Sequence, residues 1–555
     1  VLKRKFFYWL TISNFLYIII LLILAGIAIA ALTGDNGLFA RANQARQNTL
    51  DAQNAENATL QGYEDAIDQA LGEEIQQVTD ENPGVLEGSG TDDDPYTINS
   101  IEDLVYFSYD VNNGNTYEGQ TVKLALSLNF NSNKSYVEPL RTNYGEYGYN
   151  GELKTLLTTG EGFKPIGEPD GENSFYGTFD GDNKVICSLY INIDSAIEDG
   201  IDIGFFSRNY GEIRNLGLVN INLTAQGNVG VGGVTAINYN KIYNCYTTGN
   251  INVIGNEYIP TGGIVGVLAS YASIEQCYNA ANIECKNIKQ EYGGSNIGCG
   301  GIAGQGGGNI DKCFNLGNIT VDGGINDSYV GGICGNYYAG NDTNIKNSYN
   351  NAKIESTTTG GGFNILGGIV GQLGSGTNVQ NLKIINCYNA GNIVSNSNNS
   401  RVSGIVALLY NNAEIKNVFN IGNIMVENAQ STDSSTGIGG ILGVTANGSD
   451  NSQINYAYNT GIINLNNTNN QNVGSIIGNR KSSIILNNCY YLTGTYETGV
   501  GTNGAMTGIT EWQSLDKFPT ILEAINSEDV FKEDSNNINN GYPILVWQGN
   551  STMGN

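Results

Sequence analysis

One five-residue phrase, Gly262-Gly263-Ile264-Val265-Gly266, returns along the chain at nearly constant intervals. Four other copies keep two glycines, an isoleucine, one variable residue and a closing glycine, and three looser copies keep part of this pattern. The other copies are Gly300–Gly304, Gly331–Gly335, Gly367–Gly371 and Gly439–Gly443, and the looser ones begin at Gly232, Ser403 and Gly474. The second positions of all eight copies are 233, 263, 301, 332, 368, 404, 440 and 475, so the steps are 30 to 38 residues. A period in this range predicts a stacked repeat array.

A second phrase follows each copy within about ten to twenty residues. It consists of a small residue, an aromatic residue and usually asparagine, as in Cys277-Tyr278-Asn279. The equivalent positions are Cys245-Tyr246, Cys313-Phe314-Asn315, Ser348-Tyr349-Asn350, Cys387-Tyr388-Asn389, Val418-Phe419-Asn420, Ala457-Tyr458-Asn459 and Cys489-Tyr490. Several copies continue into a third phrase, for example Gly317-Asn318-Ile319.

The three phrases predict three short strands in each repeat. They are rich in Ile, Val and Tyr and are bounded by Gly, Asn, Ser and Asp, which favours strands and turns. Most repeats leave no room for a helix of ten or more residues. Three strands repeated in one direction predict a mainly β fold, a parallel β-helix with one repeat per rung. A β-propeller has a similar period and is the alternative, although its blades need four strands.

Composition limits the function. The chain has 555 residues with a net charge of −27, from 26 basic and 53 acidic residues, which disfavours binding to nucleic acid. Histidine is absent, and this excludes Ser-His-Asp and Cys-His catalysis and every metal site that uses histidine. The sequence predicts no catalytic, cofactor-binding or metal-ligating residue and no cofactor.

Nine cysteines occur, and no pair has Cys-x-x-Cys spacing. Five of them occupy one repeat position, where other copies carry Ser348, Val418 or Ala457. This exchange indicates a packing position for a small side chain. We expect a stacked, reduced ladder, with disulfides between some rungs as the alternative.

Residues 1–34 are predicted to span a membrane. Lys3, Arg4 and Lys5 precede a stretch without charge up to Asp35, and residues 15–32 are apolar apart from one glycine. The basic cluster predicts a cytoplasmic N-terminus with the bulk of the chain outside, and residues 10–34 contacting the bilayer. A cleaved signal peptide is the alternative, because Ala28-Ile29-Ala30 offers a cleavage site.

Residues 35–76 are predicted to form a polar helical stem, since 38–76 are rich in Ala, Gln, Glu and Leu and contain no proline. An apolar helix that continues into a water-soluble one resembles the N-terminal stem of type IV pilins. The resemblance is carried by residues 22–30 and 32–37. It implies a possible homo-oligomer or filament formed through this helix, while a simple anchor is the other interpretation.

Residues 77–87 are predicted to be a linker, 88–203 an N-terminal cap with the first rungs, 204–491 the repeats and 492–555 a C-terminal cap. The opening residues 163–167 and 175–182, together with the Gly-Gly-Ile-Val-Gly rungs, resemble the GLUG-motif family of bacterial surface proteins over about residues 85–548. The resemblance implies an extracellular, right-handed β-helix and supplies no catalytic motif. The caps would shield the strand edges of the terminal rungs.

Two acidic stretches and the tyrosines are the remaining candidates for chemistry. Asp92-Asp93-Asp94 and Asp180-Gly181-Asp182 offer oxygen ligands for Ca²⁺, but both stretches are also good turn sequences. The 33 tyrosines could stack on sugar rings, or pack on one another inside the solenoid. Recurring asparagines are expected to form hydrogen-bonded ladders.

These observations favour a bacterial cell-surface adhesin or pilin-like display protein, not an enzyme, that binds a glycan or a host or matrix protein. A polysaccharide hydrolase or lyase on the same scaffold is the first alternative, since β-helices of such enzymes carry paired carboxylates. A passive surface spacer is the second.

Overall fold

The computed structural model describes residues 86–130 and 160–548, apart from short gaps. The gaps are 169–172, 195–199, 228, 257, 290, 292, 294–295, 339–342, 375–380, 411, 431–434, 447–448, 450, 468–471, 482, 502–503, 513–517 and 527. The predicted membrane segment 1–34, the stem 35–76 and all but the last two residues of the linker 77–87 lie outside the described residues. Within the described part, no helix has both the length and the apolar character needed to cross a bilayer.

The described chain is mainly β, and its strands form three parallel sheets. Sheet 1 contains the strands that lead into the Gly-Gly pair: Ile201–Ile203, Val229–Gly232, Ile259–Gly262, Ile297–Gly300, Ser328–Gly331, Phe363–Gly367, Asn399–Ser403, Gly437–Gly439 and Val473–Gly474. Sheet 2 contains the strands that leave it: Phe206–Asn209, Thr235–Asn238, Val265–Leu268, Ala303–Gly306, Cys334–Tyr337, Val370–Leu373, Val406–Leu409, Leu442–Thr445 and Ile477–Asn479.

Sheet 3 is the largest, with 25 strands, and it carries the second and third phrases. Its strands are Tyr96–Ile98, Thr121–Leu124, Leu128–Asn129, Thr178–Cys187, Tyr190–Asp194, Glu212–Gln226, Lys241–Tyr243, Tyr246–Gly255, Ser273–Glu275, Tyr278–Asn287, Asn309–Asp311, Phe314–Asn315, Ile319–Gly324, Asn344–Lys346, Tyr349–Asn350, Ile354–Thr358, Leu382–Ile385, Tyr388–Asn389, Ile393–Asn396, Ala413–Asn420, Ile424–Glu427, Gln453–Asn459, Ile463–Asn466, Ile485–Leu492 and Ile509–Trp512. A separate antiparallel pair joins Phe531–Lys532 to Ile544–Leu545, and the two described helices are Ile101–Asn112 and Phe518–Ile525.

Each repeat forms one coil that visits sheet 1, sheet 2 and sheet 3 in turn, and equivalent residues of successive coils pair in register. Ile251 pairs with Ile283, which pairs with Ile319, and this column continues through Ile354 and Ile393. The predicted stack of parallel repeats is confirmed. The propeller alternative is wrong, because the strands of successive repeats pair side by side in parallel. The handedness of the coil stays a prediction.

The number of strands per coil was predicted wrongly. The Gly-Gly phrase is not one strand, because the chain bends there from sheet 1 into sheet 2. The second and third phrases divide sheet 3 further, so a coil such as 297–324 contains five short strands. A single apolar run therefore includes two strands wherever a sharp bend falls inside it.

Close backbone approach explains the three glycines of the phrase. A Cβ atom on Gly262 would lie 2.0 Å from the backbone oxygen of Val265, and one on Gly266 would lie 2.7 Å from a backbone oxygen of the preceding coil. A Cβ on Gly263 would lie 2.3 Å from Cγ of Asn279. The two phrases therefore touch across the coil, and this contact leaves no room for a side chain at the second glycine.

A second bend lies just before the small residue of the second phrase. The preceding residue has a left-handed backbone in eight successive coils, with φ between 50° and 56°. These residues are Asn244, Gln276, Lys312, Asn347, Asn386, Asn417, Tyr456 and Asn488. After the bend Cys277 points into the core, Tyr278 is half-buried on the outer face and Asn279 is fully buried.

The buried asparagines form the predicted ladder. In each step the side-chain Nδ2 of one asparagine donates to Oδ1 of the next at 2.8 Å. The asparagine ladder consists of Asn279, Asn315, Asn350, Asn389, Asn420 and Asn459. Thr247 starts it by donating from Oγ1 to Asn279 at 2.9 Å.

Different elements cover the two ends of the repeats. At the N-terminal end the helix Ile101–Asn112 begins at its capping residue Ser100 and joins the core through Phe107, which packs on Phe175 and Phe179. At the other end Ile509–Trp512 pairs with the last repeat strand, and the chain then turns back along the side of the coils.

Candidate functional site

The aromatic residues of the second phrase form one continuous stack on the outer side of sheet 3. The long aromatic stack consists of Tyr246, Tyr278, Phe314, Tyr349, Tyr388, Phe419 and Tyr458, whose neighbouring ring centroids lie 4.7–4.9 Å apart with the rings within 6° of parallel. They pack on one another as expected, but outside the core, because the bend before each one turns it outward.

The C-terminal segment, residues 509–548, covers much of this stack. The ring of Trp547 lies 5.8 Å from that of Tyr388, and Phe531 lies 6.2 Å from Tyr458. The hydroxyl of Tyr458 donates to the backbone oxygen of Pro543 and accepts from Nδ2 of Asn539 at 2.7 Å. The covered part of the long aromatic stack is therefore a packing surface within the chain.

A second row of rings is open to solvent. The exposed tyrosine stack consists of Tyr176, Tyr210, Tyr239 and Tyr271, with successive ring centroids 4.7, 4.3 and 6.5 Å apart. The first two pairs are nearly parallel, at 6° and 10°. Tyr176 is 41 % exposed and Tyr271 is 76 % exposed, so the row presents apolar ring faces and edges to water.

The coil geometry aligns these rings. Tyr210 and Tyr239 each directly follow a strand of sheet 2, and the backbone N–H of Tyr239 donates to the backbone oxygen of Asn209 at 2.8 Å. Beneath them, Nδ2 of the fully buried Asn209 donates to Oδ1 of Asn238 at 2.8 Å and to the backbone oxygen of Gly211 at 2.9 Å. The corner that carries the tyrosines is thus fixed by buried amides, and the rings are held in place before any ligand arrives.

Charged side chains border the exposed tyrosine stack on both sides. Nε of Arg208, on sheet 2, lies 2.5 Å from a carboxylate oxygen of the buried Asp202, on sheet 1. On sheet 3, Glu212 and Lys241 stand in register on neighbouring coils. Burial raises the pKa of Asp202, although the Arg208 guanidinium opposes this effect. Burial and the adjacent Tyr239 raise the pKa of Tyr210, so its phenol is neutral and can donate a hydrogen bond at neutral pH.

A flat aromatic row with polar borders has the properties of a sugar-binding surface. The C–H face of a pyranose ring stacks on an aromatic face, and hydroxyl groups at the ring edge bond to carboxylate, guanidinium and phenol groups. Aromatic stacking contributes roughly 0.5–1.5 kcal/mol per pair beyond the area that it buries. Because neighbouring rings stack on one another, the row offers ring edges along its length and ring faces only at its two ends, where Tyr176 and Tyr271 are exposed.

In the two candidate calcium stretches, the carboxylates are engaged by other groups: residues 92–94 lie in a bend, and residues 180–182 lie in the strand Thr178–Cys187 at a break in its register. A carboxylate oxygen of Asp180 accepts a hydrogen bond from Nε of Arg214 at 2.9 Å, and a carboxylate oxygen of Asp182 lies 3.2 Å from Nζ of Lys123. Burial alone would raise the pKa of Asp180, but hydrogen bonds from Asp182, Asn215 and Arg214 lower it. Asp92 accepts from Thr121 at 2.7 Å. Within the described part of the chain no three acidic, cysteine or histidine side chains converge as a metal site would require.

All nine cysteines lie among the described residues, and each is buried and without a disulfide bond. The five that share the repeat position lie in one column, in which only Cys245, Cys277 and Cys313 are on successive coils, and each donates from Sγ to a backbone oxygen at 3.2–3.6 Å.

A groove between sheet 3 and the C-terminal segment is lined by Glu414, Lys416 and Glu528. Lys416 lies 2.7 Å from Glu528, and Glu414 lies 3.7 Å from Lys383. Both carboxylates are thus engaged in ion pairs, which does not resemble the acid and nucleophile pair of a glycosidase.

Sequence reasoning did not single out the exposed tyrosine stack. The available signal was the repeated environment of its members, Phe175-Tyr176-Gly177, Asn209-Tyr210-Gly211 and Asn238-Tyr239-Asn240. These triplets recur at steps of 34 and 29 residues, close to the main repeat period, but they lie outside the three phrases.

No protein-family model matches the chain. A search of curated proteins finds a halomucin of Haloquadratum walsbyi that is 29 % identical over 182 residues, which is 33 % of this chain. The chain spans 2 % of the length of that relative. Among solved structures, a Bacteroides ovatus protein proposed to be an immunoglobulin A1 protease aligns over 83 % of this chain and 94 % of its own length, with 19 % identity and a TM-score of 0.33. At that TM-score the similarity does not bear on the fold or the activity of the chain.

Proposed function

We propose that the chain is a cell-surface binding protein whose β-helix presents the exposed tyrosine stack to extracellular glycans. The observation that carries this proposal is the row of four rings, two exposed and two half-buried, which the coils align and paired charges border. The binding function belongs to the class expected of an adhesin, and it requires neither a nucleophile nor a metal.

The charge, two resemblances and the predicted N-terminal segment are consistent with an extracellular location for this function. The net charge of −27 keeps a large β-rich surface soluble. The repeats resemble those of GLUG-motif surface proteins, and one third of the chain is similar to part of a halomucin. An N-terminal membrane helix with a pilin-like stem would hold the coils outside the cell.

The charge also narrows the class of glycan. A strongly acidic protein repels polyanions, and at physiological ionic strength this repulsion acts over a Debye length of about 8 Å. We expect neutral or amino-sugar polysaccharides to bind better than sulfated or uronic-acid polysaccharides.

The test is binding of the whole 555-residue chain to a glycan panel. Tyr239→Ala removes one of the two inner rings and should weaken binding roughly tenfold, because about 1.4 kcal/mol corresponds to a factor of ten. Tyr239→Phe keeps the ring and should bind nearly as the parent does. Tyr243→Ala is the matched control, because Tyr243 lies in the same coil but outside the stack.

The outcomes separate the three expected functions. Intact bound glycans that are lost in Tyr239→Ala support the proposal. Shortened glycans would instead favour the hydrolase or lyase. Equal binding by parent and Tyr239→Ala would contradict the site, and an absence of binding across the panel would favour a passive spacer.

A further inference from the structure

Cys285 and Cys299 differ from the stacked cysteines of the repeat position. Cys285 lies in the strand Tyr278–Asn287, and Cys299 lies in Ile297–Gly300, which begins the next coil. Their Sγ atoms are 3.6 Å apart, and both side chains are buried in the main core. Whereas the stacked thiols donate to backbone oxygens, the Sγ of Cys285 donates to the other sulfur.

The positions suit a covalent link. A disulfide has an S–S length of about 2.05 Å, so the sulfurs need to approach by roughly 1.5 Å, a distance that side-chain rotation can supply. The two residues are 14 apart in sequence, and the bond would close the corner between sheet 3 and sheet 1. We propose that Cys285 and Cys299 form a disulfide bond when the chain folds under oxidising conditions. The bond would link the end of one coil to the start of the next.

The reaction is thiol–disulfide exchange with a disulfide donor, such as glutathione disulfide or a protein dithiol oxidase. One thiolate attacks the donor disulfide to form a mixed disulfide and release one donor thiol. The second thiolate then attacks the mixed disulfide, the Cys285–Cys299 bond forms and the second donor thiol leaves. The pair loses two electrons and two protons, and the donor is reduced to two thiols.

The burial of the pair sets when this exchange can occur. Both sulfurs are inaccessible in the folded coil, and the contact with Cys285 together with burial raises the pKa of the Cys299 thiol. The thiolate is therefore scarce once the core has closed. Exchange belongs to the folding stage, while a donor can still reach the corner.

The neighbouring coils supply variants that should fold. Valine stands in register with Cys285 in both adjacent coils, at Val253 and Val321, and Val330 stands in register with Cys299. Cys285→Val and Cys299→Val therefore place in the core a residue that the stack already accepts. Cys489→Ala is the matched control, since Ala457 occupies the same position in the preceding coil.

The experiment folds the whole chain from the reduced, denatured state in a buffer of glutathione and glutathione disulfide, and blocks the remaining thiols under denaturing conditions. Peptide mapping by mass spectrometry should find one cross-link, between Cys285 and Cys299, with the other cysteines blocked as thiols. The Cys489→Ala control should keep the cross-link, and Cys285→Val should lose it.

A second readout does not depend on the mapping. Reductant should lower the unfolding midpoint of the oxidised parent and leave the midpoint of the Cys285→Val/Cys299→Val double variant unchanged. Nine blocked thiols after folding, or cross-links confined to the stacked cysteines, would overturn the inference. The result is independent of sugar binding, because the corner lies apart from the exposed tyrosine stack in sequence and sheet position.

Discussion

The asparagine of the second phrase satisfies all of its hydrogen-bonding groups inside the protein. Asn279 donates from Nδ2 to the backbone oxygen of Ala281 and to Asn315, and its Oδ1 accepts from the N–H of Ala281 and from Thr247. An amide has two donor hydrogens and two acceptor positions, so nothing is left unpaired. This is why the phrase specifies asparagine rather than another polar residue of similar size.

Removing one amide should therefore be costly. Asn350→Ala would leave buried groups of Asn315, Asn389 and Ala352 without partners, and we expect a loss of about 3 kcal/mol in unfolding free energy. Asn464→Ala, at an exposed strand position, should change it by less than about 0.5 kcal/mol. Denaturant unfolding followed by circular dichroism measures both. Equal midpoints for the two variants would contradict the ladder's role.

The residue just before the small residue of the second phrase has the left-handed backbone of the second bend, and substitutions there test that bend. Asparagine tolerates a left-handed backbone better than most residues do, and five of the eight coils use it. Lys312 adopts φ of 54° without that advantage. We expect Lys312→Asn to raise the unfolding free energy by about 0.5–1 kcal/mol, and Asn386→Lys to lower it by more, because that change also removes the hydrogen bonds of the Asn386 amide with Asn347 and Asn417. Thermal unfolding of the pair checks this, and an unchanged or lower midpoint for Lys312→Asn would argue against the bend.

The residue pattern predicted the ladder and the packing position of the cysteines, because asparagine recurs in six of the eight copies and a small side chain precedes the aromatic residue in all of them. The left-handed backbone of Gln276, Lys312 and Tyr456 could not be predicted, since these residue types carry no local signal for that conformation. The glycine–asparagine contact became visible only in the fold. In the copy that carries Ser475 in place of the second glycine, Tyr491 replaces the asparagine, so both partners of the contact differ in the same coil.

At the scale of elements, the C-terminal segment pairs with the last repeat strand and also packs along the side of several coils. It crosses several coils, from Tyr490 beside Trp512 back to Tyr349 beside Trp547. The sequence shows a loss of period after Tyr491, but a segment without repeats gives no register with the surface on which it packs. Its path along the long aromatic stack could not be predicted for this reason.

The C-terminal segment should detach from the long aromatic stack without unfolding of the coils. Trp547→Ala removes the ring that packs on Tyr349 and Tyr388, and we expect a local loss of about 1–2 kcal/mol. Hydrogen–deuterium exchange should accelerate in residues 518–548, while the strands of sheets 1 and 2 exchange as in the parent. Val546→Ala, at a neighbouring exposed position, should leave both regions unchanged. Accelerated exchange throughout the coils would show that the segment supports the whole stack instead.

At the scale of the whole molecule, one structural unit is repeated, and each coil buries its side chains mainly against its two neighbours. The repeat period predicted this architecture because no coil can bury its apolar face alone. The number of strands in each coil was beyond prediction, since it depends on bends at glycine pairs and at left-handed residues within the apolar runs. The functional surface was harder still, because the exposed tyrosine stack involves only a few of the coils.

One column of outward-facing residues offers the most direct test of the stacked coils. In register along sheet 3 it runs through Asn252, Glu284, Thr320, Glu355, Val394, Met425 and Asn464. Neighbouring strands lie about 4.8 Å apart, so the distance along this column should grow by that amount with each coil.

The measurement is the distance between spin labels attached to cysteines introduced in pairs in this column. Pairs at Glu284 and Met425, Glu284 and Asn464, and Asn252 and Asn464 are four, five and six coils apart, so we predict backbone separations of about 19, 24 and 29 Å. A linear increase supports the stacked β-helix. Distances that do not grow with the number of coils would contradict it.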